Sequence, residues 1–111
     1  MHELGITQSI VATVDEAAAG KRVLRVTLEV GQLSGVVGDA IAFCFDVVAA
    51  GTALEGARLE IRNIPARARC RGCGATQPVA SLLDPCAACG AYGLELVEGD
   101  GLRVKEMEIE E

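Results

Sequence analysis

The sequence predicts an α+β protein: a small domain of two helices and three strands, with a cysteine-rich ribbon inserted before its last strand. Three observations carry this prediction. Residues 4–19 show the three- and four-residue apolar spacing of a helix. Residues 22–30 alternate apolar and polar side chains, as a half-buried strand does. Residues 66–92 lose apolar content and gain cysteine, glycine, proline and arginine, so this segment needs a cross-link to fold.

The first predicted helix has one apolar face and ends near Gly20, since glycine favours helix termination. The residues expected on that face are Ile6, Ile10, Val14 and Ala17, with Val11 and Ala18 beside them. The strand that follows is predicted to turn four side chains towards the core. They are Leu24, Val26, Leu28 and Val30. These two elements begin the α/β domain.

A glycine-rich loop, residues 31–38, leads to a second predicted helix, which Asp39 is expected to cap. The apolar stripe expected on that helix contains Ile41, Cys44, Val47 and Val48. Cys44 is therefore interpreted as a buried, unreactive core residue. Residues 58–62 alternate again and predict a second strand, which Pro65 closes.

Two more strands are predicted near the end of the chain. One begins at Leu94, and residues 102–110 form the other. The apolar positions of the last strand change phase, which predicts a bulge near Lys105-Glu106. We therefore expect an α/β domain made of residues 1–65 plus 102–111, and a ribbon domain made of residues 66–101. The sequence leaves open the alternative that the last strand belongs to the ribbon alone.

Four of the five cysteines form two C-x-x-C units, Cys70–Cys73 and Cys86–Cys89, each followed by a glycine. Two pairs of thiolates suit one tetrahedral Zn²⁺ in a closed, structural site. An odd number of cysteines argues against a framework of disulfides. A rubredoxin-like iron site uses the same spacing and is the alternative. Such sites are usually packed in aromatic residues, however, and only Tyr92 is near in the sequence.

The charge of the chain argues against several functional classes. The formal net charge is −6, which disfavours binding to nucleic acid or to an anionic membrane. Arg67, Arg69 and Arg71 are interpreted as compensating the charge of the thiolate site rather than as a nucleic-acid face. No apolar run approaches the roughly 20 residues that span a bilayer, and no signal peptide is recognised, so we expect a cytoplasmic protein. We also expect no enzymatic activity, because no nucleophile–base pair or phosphate loop is found.

The start of the chain offers a second set of metal donors. The α-amine of Met1 and the backbone nitrogen and imidazole of His2 can close two chelate rings on one ion, and Glu3 can supply a fourth donor. Nitrogen-rich coordination of this kind favours Ni²⁺ or Cu²⁺. The motif alone is weak, because every protein that begins Met-His carries the same donors.

Longer stretches strengthen this interpretation. They are Met1–Leu4, Val26–Gly35, Phe45–Val48, Gly51–Thr52, Gly56–Ile61, the two C-x-x-C-G units and Gly101–Glu106. Together, and in this order, they resemble the HypA/HybF family over nearly the whole chain. Two departures stand out: Ala87 replaces a proline that many members carry, and Asp39 is the first carboxylate after the Leu33-Ser-Gly35 segment.

The resemblance implies a hydrogenase maturation factor that helps to insert nickel into [NiFe]-hydrogenase. It implies that Met1, His2 and Glu3 hold Ni(II) as cargo and that Cys70, Cys73, Cys86 and Cys89 hold a structural zinc. The partners it implies are a HypB-type GTPase and the hydrogenase large-subunit precursor, and a homodimer is possible. A non-enzymatic zinc-ribbon adaptor that binds protein or RNA is the alternative, and a rubredoxin-like electron carrier is a second one.

Overall fold

The computed structural model describes residues 2–111 and contains two helices and two three-stranded sheets. The elements are α1 (His2–Ala18), β1 (Val23–Gly31), α2 (Gly38–Ala49), β2 (Arg58–Ile64), β3 (Arg67–Cys70), β4 (Thr76–Pro78), β5 (Leu94–Glu98) and β6 (Leu102–Ile109). One sheet has the strand order β2-β1-β6 and the other the order β4-β3-β5. The predicted α+β fold class is confirmed.

The last strand, β6, belongs to the sheet of the α/β domain. It lies beside β1, so the alternative that it forms part of the ribbon alone is wrong. Its side chains alternate in exposure until Lys105 and Glu106, which are both exposed. Beyond them the half-buried positions fall on Met107 and Ile109. This change of phase occurs where the sequence predicted it.

α1 buries one face, as its apolar spacing predicted. The buried residues are Thr7, Ile10, Val11, Val14 and Ala18. Ala17 was expected among them but is exposed, because the buried face follows residues 7, 11, 14 and 18 at helical spacing. In β1, Val26 and Leu28 are fully buried, whereas Leu24 is 41% exposed because Val23 takes the buried position at this end.

α2 packs against α1, but the face that it buries differs from the prediction. The buried residues are Ile41, Phe45 and Ala49, at intervals of four. Val47 is exposed and Cys44 is only half-buried, so both assignments to the buried stripe were wrong. The N-cap is Val37, which makes no side-chain capping hydrogen bond, and Asp39 instead lies in the first turn. Because α2 is apolar on several sides, spacing alone did not select its buried face.

The chain divides into two compact units, each assembled from separate stretches of sequence. The first unit contains the residues up to Glu29 together with Val37–Arg62 and Arg103–Glu111, and the second contains Val30–Val36 and Asn63–Leu102. The sequence-based division places residues 30–36, residues 63–65 and Leu102 in the first domain. The structure groups them with the ribbon.

Hydrogen bonds explain why residues 30–36 join the ribbon. The backbone amide of Gln32 donates to the carbonyl of Ile64 at 2.9 Å, and that of Leu33 donates to the carbonyl of Gly99 at 2.8 Å. The side-chain oxygen of Gln32 accepts from the amide of Ala66 at 2.9 Å. Leu33 also packs against the buried cluster of the second unit. These partners are distant in sequence, so local patterns do not reveal them.

Gly99 lies at a point of very close backbone approach in the second unit. Its φ is +98°, in the region that favours glycine. A Cβ added here would lie 2.5 Å from the Cα of Ala66 and 2.9 Å from the carbonyl oxygen of Pro65. Gly31 faces the same constraint, because a Cβ on it would collide with the backbone of Gly99. Both positions therefore require glycine.

Candidate metal centre

The four cysteines of the C-x-x-C units form one cluster in the second unit. Their Sγ atoms all lie within 4.8 Å of one another. The Sγ atoms of Cys70 and Cys89 are 3.7 Å apart, and so are those of Cys73 and Cys86. Two sulfurs on one tetrahedral zinc with bonds of about 2.3 Å would lie about 3.8 Å apart. The cluster therefore fits a single tetrahedral metal ion such as zinc.

Each C-x-x-C unit turns its backbone amides towards its first sulfur. The amide of Gly72 donates to the Sγ of Cys70 at 3.3 Å, and the amide of Ala88 donates to the Sγ of Cys86 at 3.4 Å. Amides that point at a thiolate stabilise its negative charge. The two C-x-x-C segments thus share the same local geometry, in which backbone amides stabilise the thiolate that a cation would bind.

A glycine closes each of these turns. The amide of Gly74 donates to the carbonyl of Cys70 at 2.9 Å, and that of Gly90 donates to the carbonyl of Cys86 at 2.8 Å. Both glycines have a φ of +78°, which other residues adopt at a cost. The glycine that follows each C-x-x-C unit thus supplies the positive φ that closes its turn.

The backbone geometry changes the acidity of the thiols. Backbone hydrogen bonds from Cys73 and Gly72 lower the pKa of Cys70. Backbone hydrogen bonds from Cys89 and Ala88 lower the pKa of Cys86 to about 6. The amide of Ala91 acts in the same direction on Cys89, but the neighbouring Cys70 sulfur, burial and the other two thiols outweigh it and raise its pKa to about 11. The cluster is therefore prepared to lose some of its protons near neutral pH, and a cation would favour the loss of the rest.

The first cysteine of each unit also belongs to the apolar core of the ribbon. Cys70 is 1% exposed and Cys86 is 2% exposed, whereas Cys73 and Cys89 are exposed residues. The core cluster consists of Ala66, Ala68, Cys70, Val79, Cys86 and Leu94. Six residues make a small core, so a metal held by the four sulfurs would carry much of the stability of this unit.

The arginines beside the first C-x-x-C unit face glutamates. In the antiparallel pairing of β3 with β5, Arg67 lies opposite Glu98 and Arg69 lies opposite Glu95. The Nε of Arg71 pairs with the carboxylate of Glu95. From the sequence, these arginines were interpreted as compensating the negative charge of the four thiolates. In the structure Arg71 pairs with a carboxylate, whereas Arg67 and Arg69 lie opposite glutamates in the strand register.

The predicted nickel residues lie at the start of α1. The Nε2 of His2 is 2.9 Å from the Oε2 of Glu3, and the two side chains are 65% and 17% exposed. The first amides of a helix have no acceptor within the helix, so helix formation does not use the backbone nitrogens of His2 and Glu3. Met1, the third predicted residue, lies outside the described residues.

Thr7 anchors this first turn, and sequence reasoning missed it. Its hydroxyl donates to the carbonyl of Glu3 at 2.7 Å, and the residue is fully buried. The available signal was a polar residue on the apolar face of a predicted helix.

Asp39 is exposed on α2. Among residues 2–111 the four cysteines are the one group of three or more metal-ligating side chains, and neither Asp39 nor His2 belongs to it.

The α/β unit and the ribbon with its four clustered cysteines are those of a small protein that can hold a metal ion. A family model described as "Hydrogenase/urease nickel incorporation, metallochaperone, hypA" matches residues 1–109. The chain belongs to this HypA family, which confirms the resemblance seen in the sequence.

Curated relatives match over their full length. A hydrogenase maturation factor HypA from Geobacter metallireducens is 56% identical over 110 residues, covering 99% of this chain and 100% of the relative. One from Rippkaea orientalis is 53% identical over 111 residues, covering 100% of this chain and 97% of the relative. The family is one of hydrogenase maturation factors and nickel metallochaperones rather than enzymes, as we expected.

Solved structures share the fold. The solution structure of the Ni metallochaperone HypA from Helicobacter pylori matches with a TM-score of 0.67 and 19% identity, covering 96% of both chains. A second solution structure, of a HypA protein, matches with a TM-score of 0.73 and 21% identity, covering 98% of this chain and 96% of the other. At these identities the likeness supports the fold alone. Among the described residues, no helix is long and apolar enough to cross a membrane.

Proposed function

We propose that this protein binds Ni(II) at its N-terminal segment and delivers it for maturation of [NiFe]-hydrogenase, while the four cysteines hold a separate structural zinc. The observation that carries the proposal is the match of the HypA family model to residues 1–109. The family description names nickel incorporation and metallochaperone activity. Residues at the start of α1 supply donors that suit this cargo.

The proposed nickel ligands are the amine of Met1, the backbone nitrogen and imidazole of His2, and Glu3. The short distance between the side chains of His2 and Glu3 supports a shared site, since both can turn towards one ion. Nitrogen donors of this kind favour Ni²⁺ over harder divalent cations. All the ligands come from one short segment and His2 is exposed, so a nickel ion bound here can be passed on without unfolding the domain.

The proposed zinc site comprises Cys70, Cys73, Cys86 and Cys89. The sulfur separations of 3.7 Å support tetrahedral coordination. Tyr92, the aromatic residue nearest in sequence, is 75% exposed and does not enclose the sulfurs, which favours zinc over a rubredoxin-like iron. The site uses four protein ligands, so we assign zinc a structural role.

The proposed partners follow from the maturation role of the family. They are a HypB-type GTPase and the large-subunit precursor of the hydrogenase, and a homodimer is a further possibility. Free thiolates arranged for metal rather than for disulfides suit a reducing compartment, so we propose that the protein acts in the cytoplasm. The glutamates opposite Arg67 and Arg69 argue against RNA as a partner.

Isothermal titration calorimetry tests the proposal: nickel is titrated into zinc-loaded protein that has its native N-terminus. His2→Ala is compared with wild type, and Gln8→Ala, an exposed change on the same helix, is the matched control. We expect micromolar or tighter binding in wild type and Gln8→Ala and its loss in His2→Ala, with zinc retained by all three. Equal binding by all three would place nickel elsewhere, and no binding by any would favour a zinc-ribbon adaptor.

A further inference from the structure

α2 exposes a ridge of large apolar side chains that nothing described so far uses. Phe43 is 86% exposed and Val47 is 78% exposed, although α2 also has a well-buried face formed around Phe45. We call the exposed residues Phe43 and Val47 the α2 ridge. An aromatic ring left this open to water is unfavourable, and exposed apolar patches commonly mark sites of protein interaction.

The helix geometry makes the ridge continuous. Phe43 and Val47 are four residues apart, so their side chains lie one above the other on the same side of α2. Ala50, three residues beyond Val47, is exposed at the C-terminal end of the ridge. Val37, the N-cap residue, is 57% exposed at the other end of α2. From Phe43 to Ala50 the ridge spans about two turns of helix, along which a partner could lie.

Two carboxylates flank the ridge. Asp39 lies four residues before Phe43 and Asp46 lies three residues after it, so both are neighbours of Phe43 on the helix surface. Both are exposed, and α2 has no basic residue in its last turn. α2 thus combines an apolar strip with negative charge and carries no lysine or arginine.

We propose that the α2 ridge docks an amphipathic segment of another protein, whose apolar face is flanked by lysine or arginine. The apolar side chains of the partner would cover Phe43 and Val47, and its cations would pair with Asp39 and Asp46. A second copy of this chain fits poorly. It would bring the same two aspartates to the contact, and each chain carries a net charge of −6.

The test uses a synthetic helical peptide of roughly 18 residues, about five turns, as the partner. Leucines along one face are flanked by lysines, and a comparison peptide carries glutamates in place of the lysines. Fluorescence anisotropy measures the binding of each labelled peptide to the full chain. We expect the lysine peptide to bind wild type, and Phe43→Ala/Val47→Ala to weaken binding roughly tenfold, as truncation of an interface anchor does.

Two further variants test the role of the aspartate charges and the specificity for α2. Asp39→Asn/Asp46→Asn should weaken binding about threefold at low salt, and the difference should vanish at high salt. Leu83→Ala, which changes a side chain 85% exposed outside α2, should bind as wild type does. Circular dichroism checks that each variant is folded.

Three outcomes would overturn the proposal. One is equal binding by wild type and Phe43→Ala/Val47→Ala, and another is equal binding of the lysine and glutamate peptides. The third comes from sedimentation: a dimer that disappears in Phe43→Ala/Val47→Ala would assign the ridge to a second copy. None of these measurements depends on nickel, so they are independent of the function proposed above.

Discussion

The Sγ atoms of Cys73 and Cys86 lie 3.7 Å apart although residues 74–85 separate them in the chain. β4 lies within this intervening segment and pairs with β3. A metal shared by these sulfurs would therefore close a loop around β4 and hold the ribbon together at both of its C-x-x-C units. Without the metal, thiolates at this distance would repel one another.

We predict that Cys86→Ser abolishes binding of the proposed zinc and disorders the ribbon. The substituted side chain is buried in the core of the second unit and would lose its metal ligand. Metal analysis should show zinc falling from one per chain to near zero, and amide NMR signals of residues 63–102 should lose dispersion. Cys44→Ser is the matched control, since Cys44 lies on α2 in the first unit, and it should keep both zinc and dispersion. Full zinc retention by Cys86→Ser would refute the four-sulfur site.

We predict that nickel affinity falls as the pH is lowered from about 8 to about 5. Nickel held by the proposed ligands must displace protons from the amine of Met1 and the backbone nitrogen of His2. Protons therefore compete with the cargo, and weaker binding is expected at the acid end. Calorimetry across this range measures the effect. Unchanged affinity would mean that other donors hold the nickel.

We predict that Gly99→Ala destabilises the protein by about 2–4 kcal/mol, because it combines backbone strain with overpacking. The added Cβ would lie 2.5 Å from the Cα of Ala66, and the φ of +98° is costly for alanine. Gly101→Ala is the control two residues away, where an added Cβ would meet nothing within 4 Å. Urea denaturation of both variants gives the comparison. Similar stabilities would show that the backbone relaxes around Gly99.

We predict that Glu60 makes the stability of the first unit depend on pH. A hydrogen bond from Arg25 lowers the pKa of Glu60 below its ordinary value of 4.5, although partial desolvation opposes the shift. The stabilisation is therefore present above pH 4.5 and is lost as the pH falls through the lower pKa of the folded state. Glu60→Gln should lose less stability than wild type between neutral and acid pH.

Urea denaturation at several pH values measures this effect. Glu16→Gln is the control, because Glu16 is exposed on α1 in the same unit. It should follow the wild-type dependence on pH. If Glu60→Gln follows it as well, the pair of Glu60 with Arg25 contributes nothing to the acid sensitivity of the fold.

Much of the fold could be predicted because local chemistry determines it. The C-x-x-C-G units carry their turn geometry in five residues, and the structure places Cys70, Cys73, Cys86 and Cys89 together. The spacing of α1 likewise predicted the burial of Ile10, Val11, Val14 and Ala18, although not that of Thr7. In these cases each residue needs only its near neighbours to specify its conformation.

The remaining features depend on distant partners. Residues 30–36 join the second unit through Ile64, Ala66 and Gly99, which no local pattern connects to them. α2 is apolar on several sides, so only packing selects Phe45 for burial and leaves Val47 exposed. Thr7 was missed for a different reason: its partner Glu3 is only four residues away, but their hydrogen bond forms only once the helix has formed.

The position of β6 beside β1 has a consequence for biosynthesis. β1 is made early, but β6, its neighbour in the sheet, leaves the ribosome only after the whole ribbon has been translated. Until then one edge of β1 stays open to other extended chains. Early folding of the ribbon would shorten the effective loop between the two strands and so hasten the closing of that edge. A metal ion taken up by the four cysteines during translation would then shorten the time for which a nascent chain is exposed to aggregation.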